Sequence, residues 1–171
     1  MHLGLWYPKS VSFKLVAYSD SDYVGSLMDR KSTSGTCQLL DNCLVSWCSK
    51  KQVSVALSTA EAEYVAAGCC GSQVLWMKQQ LKDFGLVINC IPIKCDNTSA
   101  INLSKNPIQH SRSKHIDIRH HFLRDHVQKG DVVLELIDTT NQLADICIKP
   151  LNEERKSFIK SELGMLDGST L

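Results

Sequence analysis

Phe13-Lys14-Leu15-Val16-Ala17-Tyr18-Ser19-Asp20-Ser21-Asp22 is an apolar run that closes on acid. Phe13 to Ser19 reads as a strand, and the two-residue period places Lys14, Val16, Tyr18 and Asp20 on one face. A polar stretch, Ser26 to Ser34, leads to two further strand-like runs, Gly35–Leu40 and Cys43–Ser49. Asp41-Asn42 between them is a hairpin signal. The chain therefore opens with three antiparallel strands.

A long helix follows. Ser58 is its N-cap and Glu61, three residues on, completes a capping box. Its apolar pattern runs through Ala62, Ala66, Cys69, Val74, Leu81 and Phe84, and Gly85 ends it. Gly68 and Gly71 each cost about 1 kcal/mol against alanine in a helix interior, a cost compatible with tight packing on a sheet. Ile91–Cys95 is a short strand weakened by Pro92, and Asp96-Asn97 caps a helix reaching Ser104. Beyond Asn106-Pro107 a helix spans about His115 to Lys129. Val132–Ile137 is the last strand, Asn141–Ile146 a final short helix, and 152–163 an amphipathic one before a loose tail. This order fits an α/β fold with a mixed sheet and helices on its faces. In such folds the site lies at the carboxyl ends of strands, where Asp20 and Asp96 fall.

With 171 residues, 43% hydrophobic and 22% charged, the chain reads as one domain able to bury a core. The division expected is a connector over 1–12, a domain over 13–150, and a C-terminal helix and tail over 151–171. A net charge of +1 does not by itself point to nucleic acid. The eight cysteines form no C-x-x-C pair, so buried free thiols in a reducing compartment are preferred to zinc. No apolar stretch reaches the ~18–20 residues of a membrane span, and the N-terminus lacks signal-peptide architecture. The expectation is an intracellular protein, neither secreted nor membrane-bound.

Four acids stand out: Asp20, Glu63, Asp96 and Asp145. Each has a plain alternative. Asp20 and Asp22 suit a turn after a strand, Asp96 suits an N-cap, Glu63 a solvated helix face, and Asp145 a first helical turn. Glu61 has its capping role. Jointly the four would supply the hard oxygen ligands of two magnesium ions about 3.5–4 Å apart, the arrangement of a two-metal nuclease. Spacing alone does not decide between these readings.

Ser46-Trp47-Cys48-Ser49-Lys50-Lys51-Gln52 and Val55-Ala56-Leu57-Ser58-Thr59-Ala60-Glu61-Ala62-Glu63-Tyr64 closely resemble the RNase H domain of copia-type LTR retrotransposon (retrovirus-related) Pol polyproteins. So do Asp96-Asn97, Lys114-His115-Ile116-Asp117-Ile118-Arg119 and Gln142-Leu143-Ala144-Asp145-Ile146. The resemblance runs from about Leu3 to Leu166. It implies an RNase H-like fold, a mixed five-stranded sheet with three antiparallel strands and then two parallel ones. It also implies metal-dependent cleavage of the RNA strand of RNA–DNA hybrids with two Mg²⁺ (or Mn²⁺) ions. Asp20, Glu63, Asp96 and Asp145 are then the catalytic acids and metal ligands. Glu61 and Glu63 lie about 200° apart on the helix, and the Ala62-Glu63-Tyr64 match selects Glu63. Asp22 and Glu61 are second-tier candidates. Ser21 and Tyr23 replace the family's usual Ala and Trp, and Cys147-Ile148 stand where relatives show Phe-Thr before Lys-Pro. The histidine that cellular RNases H place before the last aspartate has no counterpart in Asp138-Thr139-Thr140-Asn141.

Between Lys105 and Lys129 lie six Lys or Arg and five His residues. Ile116, Leu123 and Val127 form an inward row, while Asp117, His121, Arg124 and Gln128 form one facing water. A solvated helix face is the plain reading. In the family context, Arg112, Lys114, His115, Arg119 and Arg124, with Lys50 and Lys51, are candidates for phosphate contacts. The implied partners are the hybrid and a reverse transcriptase, in the cytoplasm or a virus-like particle. A catalytically silent remnant that binds nucleic acid or a protein is the alternative.

Overall fold

The computed structural model describes residues 3–9, 13–26, 28–105 and 119–167. Its main sheet has five strands in the order β4-β3-β2-β5-β6: β2 (Leu15–Asp22), β3 (Thr33–Leu40), β4 (Cys43–Lys51), β5 (Ile91–Cys95) and β6 (Val132–Leu136). The first three are antiparallel, while β5 runs parallel to both β2 and β6. This is the mixed sheet anticipated from the strand pattern. Asp41 and Asn42 have φ of 52° and 63°, the left-handed pair that a tight hairpin matched to strand twist requires. Pro92 pairs with Val133 of β6 but stands outside the β2 ladder, which joins Ala17 to Ile93 and Tyr18 to Lys94.

β2 runs to Asp22, because its ladder with β3 continues through Asp20↔Gly35 to Asp22↔Thr33. Both acids therefore lie within the strand, not in a turn after it. The helix α1 (Thr59–Asp83) begins as expected: the Ser58 hydroxyl accepts from the Glu61 N–H at 3.2 Å. It ends in a Schellman motif, with Gly85 N–H on Lys82 O, Leu86 N–H on Leu81 O and Gly85 at φ 80°. Its inward row differs from the expected one. Cys70, not Cys69, is buried, and Phe84 at the C-cap is 82% exposed. Small residues on both flanks (Ala66, Ala67, Gly71) left the row's phase open by about one position. Gly71 explains itself, since a Cβ there would lie 3.1 Å from Leu123 Cδ1, whereas Gly68 faces open space.

α1, α2 (Thr98–Lys105) and α3 (Arg119–Gln128) cover one face of the sheet. Their core joins Leu15, Ala17, Tyr64, Val74, Ile91, Ile93, Leu123 and Leu134. Most of the basic segment, 106–118, lies outside the described residues, so the helix expected from His115 is seen from Arg119. On the other face Cys37, Leu39 and Leu44 pack against Leu143, Ala144, Ile159 and Leu163. The helix expected over Asn141–Ile146 is instead two short 3-10 turns, Thr139–Asn141 and Leu143–Cys147, with Asp138 and Gln142 as their caps. α4 (Glu153–Glu162) follows, capped by Asn152. The tail is not loose over its first residues: β7 (Met165–Asp167) pairs antiparallel with β1 (Leu3–Leu5), and the Trp6 N–H donates to Gly164 O. Two three-residue strands are too short to announce themselves by alternation.

All eight cysteines are free, but only Cys37, Cys70 and Cys95 are buried. Cys48, Cys69 and Cys90 are exposed, against the expectation of buried thiols. Among the described residues no helix is long and apolar enough to cross a membrane.

Candidate metal-binding acidic site

Asp20 lies on the sheet face covered by the Leu143–Cys147 turn. Its neighbour across the ladder is Gly35, where a Cβ would come 2.5 Å from Ile148 Cγ2 and 2.9 Å from Ala144 O. Glycine there lets the turn rest directly on the sheet beside Asp20. The fully buried Gln142 fixes that approach, donating from Nε2 to Ser19 O at 3.0 Å and accepting the Ala144 N–H through Oε1 at 3.3 Å. Asp145 arrives on this turn and meets Asp20 carboxyl to carboxyl.

Glu63 comes from the opposite layer. Ser21 joins it to the sheet: its N–H reaches Asp20 Oδ1 at 2.8 Å and Glu63 Oε1 at 3.1 Å, and its hydroxyl donates to Glu63 Oε1 at 3.0 Å. Glu61 points elsewhere and accepts the N–H of Leu57, one residue before the Ser58 N-cap, at 2.9 Å, so its separation from Glu63 appears in the geometry. Asp96 follows β5. Asn97, not Asp96, caps α2 by accepting the Ala100 N–H at 3.0 Å. That leaves the Asp96 carboxylate to accept the Thr139 hydroxyl at 2.8 Å. Ligand atoms of Glu63, Asp96 and Cys95 lie within 4.8 Å of one another. Asp22 lies over Gly25 in the following turn, its Oδ2 occupying the space a Cβ would need.

The four acids are thus brought together from within β2, from the end of β5, from one helix and from one turn. Asp20, Glu63 and Asp145 are only 4%, 6% and 3% exposed. Burial, then the hydrogen bond to Asp145 and the charges of Glu63 and Asp96, push Asp20 up to about 9. Burial raises Glu63 to about 7, against the lowering effect of its hydrogen bonds to Ser21 and Asp20. Burial also acts to raise Asp145, but is outweighed by hydrogen bonds from Asp20, Lys149 and Arg155, which hold it below the carboxylate range. Asp20 therefore carries the proton of that pair. Asp20 Oδ2 and Glu63 Oε2 are buried and receive no protein N–H. Hard oxygen donors, crowded and short of partners, fit a divalent cation.

Lys149 and Arg155 belong to the site and were not anticipated. Lys149 Nζ lies 2.6 Å from Asp145 Oδ1 and Arg155 Nη2 lies 3.3 Å from Oδ2. The four-residue step from Asp145 to Lys149 is a legible signal, whereas Arg155 reaches the turn only through the docking of α4. Cys95 likewise enters through β5. Of the basic candidates, Lys51 pairs with Asp29 at 3.1 Å and Lys50 is exposed at the end of β4. Arg124 does not simply face water. It borders the inward row of Leu123 and Val127, its Nε is buried, and it hydrogen-bonds Tyr64 of α1. Arg119 heads α3, and Arg112, Lys114 and His115 lie outside the described residues.

No family model matches the chain. It is 38% identical over 151 residues, 88% of its length, to the retrovirus-related Pol polyprotein from transposon TNT 1-94 of Nicotiana tabacum. It is 38% identical over 163 residues, 95% of its length, to that from transposon RE1 of Arabidopsis thaliana. The chain matches a segment of copia-type Pol polyproteins. It spans 11% of the length of each of these relatives. The fold is that of the N-terminal RNase H domain of rv2228c from Mycobacterium tuberculosis, with a TM-score of 0.57 at 10% identity, over 88% of this chain and 98% of that one. The chain thus resembles a copia-type Pol segment and has an RNase H-like fold.

Proposed function

We propose that this domain is a divalent-metal-dependent nuclease that hydrolyses the RNA strand of RNA–DNA hybrids. The observation that carries the reading is the meeting of Asp20, Glu63, Asp96 and Asp145 at one end of the sheet, with buried carboxylate oxygens short of donors. Asp20, Glu63 and Asp96 would hold the cation. When bound, it would neutralise the carboxylates and lower the pKa of a water near the scissile phosphate. Ser21 keeps Glu63 and Asp20 in register, Thr139 orients Asp96, and Gln142 fixes the turn that carries Asp145. Lys50, Lys51 and the basic segment with Arg112, Lys114, His115 and Arg119 would contact hybrid phosphates, making affinity fall with salt. A wide minor groove lined with 2′-hydroxyls distinguishes such hybrids from duplex DNA. In the whole polyprotein the partner would be a reverse transcriptase that makes the hybrid.

The test is cleavage of a labelled hybrid by the purified chain with Mg²⁺, beside single-stranded RNA and duplex DNA. Hybrid alone should be cut, and Asp96→Asn should lower the rate by on the order of 100-fold or more. Folded wild-type protein that binds hybrid without cutting it would establish the silent remnant instead. Cleavage surviving Asp96→Asn would remove these acids from the chemistry.

A further inference from the structure

We propose that Cys95, Glu63 and Asp96 form a mixed sulfur and oxygen seat for a thiophilic divalent cation of the zinc class. The seat stands on its own geometry. Its consequence, that such an ion blocks cleavage, rests on the nuclease reading.

Cys95 closes β5 on the face that α1 covers, wholly buried in the core that includes Tyr64 and Ala67. Its Sγ, a carboxylate oxygen of Glu63 and one of Asp96 lie within 4.8 Å of one another. Among the described residues no other set of three His, Cys, Asp or Glu side chains gathers its ligand atoms so closely. Glu63 is 6% exposed, and its Oε2 is buried without a hydrogen-bond partner. The Cys95 thiol makes one long contact, 3.8 Å to the Asn97 carbonyl. Cys70, by contrast, meets Gln38 Nε2 at 3.6 Å and the Tyr18 carbonyl at 3.7 Å, while Cys37 belongs to the apolar cluster of Leu39 and Leu44.

The donor set decides the ion. Magnesium takes hard oxygens in an octahedral shell and leaves a thiol untouched, whereas thiolate selects zinc and softer ions. Zn–S bonds of about 2.3 Å and Zn–O bonds of about 2.0–2.2 Å put the donors of a tetrahedral ion roughly 3.5 Å apart. From within 4.8 Å, the thiol and the two carboxylates reach that spacing by turning about their own side-chain bonds. The Cys95 S–H bond breaks as the sulfur–metal bond forms, its proton leaves to solvent, and no electron moves. A solvent molecule fills the fourth position. An ion so held occupies both carboxylates with a four-coordinate shell, which excludes six-coordinate magnesium from Glu63 and Asp96.

Cd²⁺, whose bond to thiolate gives an ultraviolet charge-transfer band, is the probe. It is added to the intact reduced chain without nucleic acid, and its affinity is compared with that of Mn²⁺ by calorimetry. The first, tightest Cd²⁺ should raise the band in wild type. Cys95→Ser should remove it and lower the ratio of Cd²⁺ to Mn²⁺ affinity by on the order of 100-fold. Asp96→Asn should weaken Cd²⁺ binding by about tenfold or more. Circular dichroism confirms folding, and Cys95→Ala replaces the serine variant if that one does not fold. A first Cd²⁺ that gives no band on wild type, or an unchanged band and ratio on the Cys95 variant, overturns the seat. So does Cd²⁺ affinity untouched by Asp96→Asn, since the sulfur then acts without the acids. In hybrid cleavage with Mg²⁺, added Zn²⁺ should inhibit wild type at concentrations about tenfold below those needed for Cys95→Ser. Equal inhibition overturns the blocking role, whereas absence of cleavage by wild type overturns the nuclease reading and leaves the seat to be decided by the Cd²⁺ titration.

Discussion

Asp20 is ionisable in a place that water scarcely reaches and that three other carboxylates share, so its proton is part of the metal-free fold. Unfolded, Asp20 and Glu63 would titrate near the ordinary values of about 4; folded, they do so at about 9 and about 7. Between those limits the native chain holds protons that the unfolded chain has released. Stability without metal is therefore fully present below pH about 4 and is lost as pH rises toward 9. Asp145, held low, contributes stability that disappears only as pH falls below the ordinary range, outside this window. Thermal unfolding in chelator should give a melting temperature that declines from pH 5 to 9. Asp20→Asn, which cannot ionise and keeps the shape, should flatten that slope. At pH 8 it should stabilise the chain by about 1 kcal/mol, roughly 2–4 °C for a domain of this size. A slope unchanged by the substitution would refute the burial argument. The acids were legible because each has a local address: a strand end, a capped helix or a short turn. The partners that tune them were less so, because Ser21, Thr139 and Arg155 meet the acids only through tertiary contact.

Period and caps carried most of the elements. Alternation marks β2 to β4, Asp41-Asn42 marks the hairpin, and Ser58 with Glu61 marks the start of α1. Periodicity failed where side-chain size gave it no contrast, as in the choice between Cys69 and Cys70. It failed again at Asn141–Ile146, where consecutive caps at Asp138 and Gln142 divide one expected helix into two turns. That turn depends on Gly35. A methyl group there would meet Ile148 Cγ2 at 2.5 Å, Ala144 O at 2.9 Å and Cys147 Cβ at 3.0 Å. Ile148 can rotate, but the Ala144 carbonyl moves only with the backbone, and Asp145 moves with it. Gly35→Ala should cost about 1–3 kcal/mol, the usual penalty of overpacking, as read from urea unfolding. It should also weaken Mn²⁺ binding. Adding Ile148→Ala should recover stability only in part, since the carbonyl clash remains; full recovery would assign the clash to the side chain alone.

The two faces of the sheet are unequal, and the acid site needs both. Glu63 is held by the larger layer of α1 to α3, Asp145 by the smaller layer around Ile159 and Leu163, and Asp20 and Asp96 by the sheet between them. The smaller layer is closed by short pieces from far apart in sequence: β1 on β7, Trp6 N–H on Gly164 O at 3.2 Å, and the Tyr7 hydroxyl on Leu44 O at 2.7 Å. Leu5 and Met165 pack against its core. Contacts so few and so distant make a unit that opens before the rest of the molecule. A chain beginning at Ser10 should remain folded in α1 and β5 yet lose hydrogen-exchange protection in α4 and in the Leu143–Cys147 turn. Because Arg155 and Asp145 travel with that layer, Mn²⁺ affinity should fall in step, by about tenfold, a cost comparable to losing an outer-shell partner. Equal loss of protection across both layers would mean that the sheet and its two faces unfold as one unit, and the strap would then be part of the main core. Protection unchanged in both would show instead that α4 is held by Ile159 and Leu163 alone, with Trp6 and Tyr7 resting on a layer already closed.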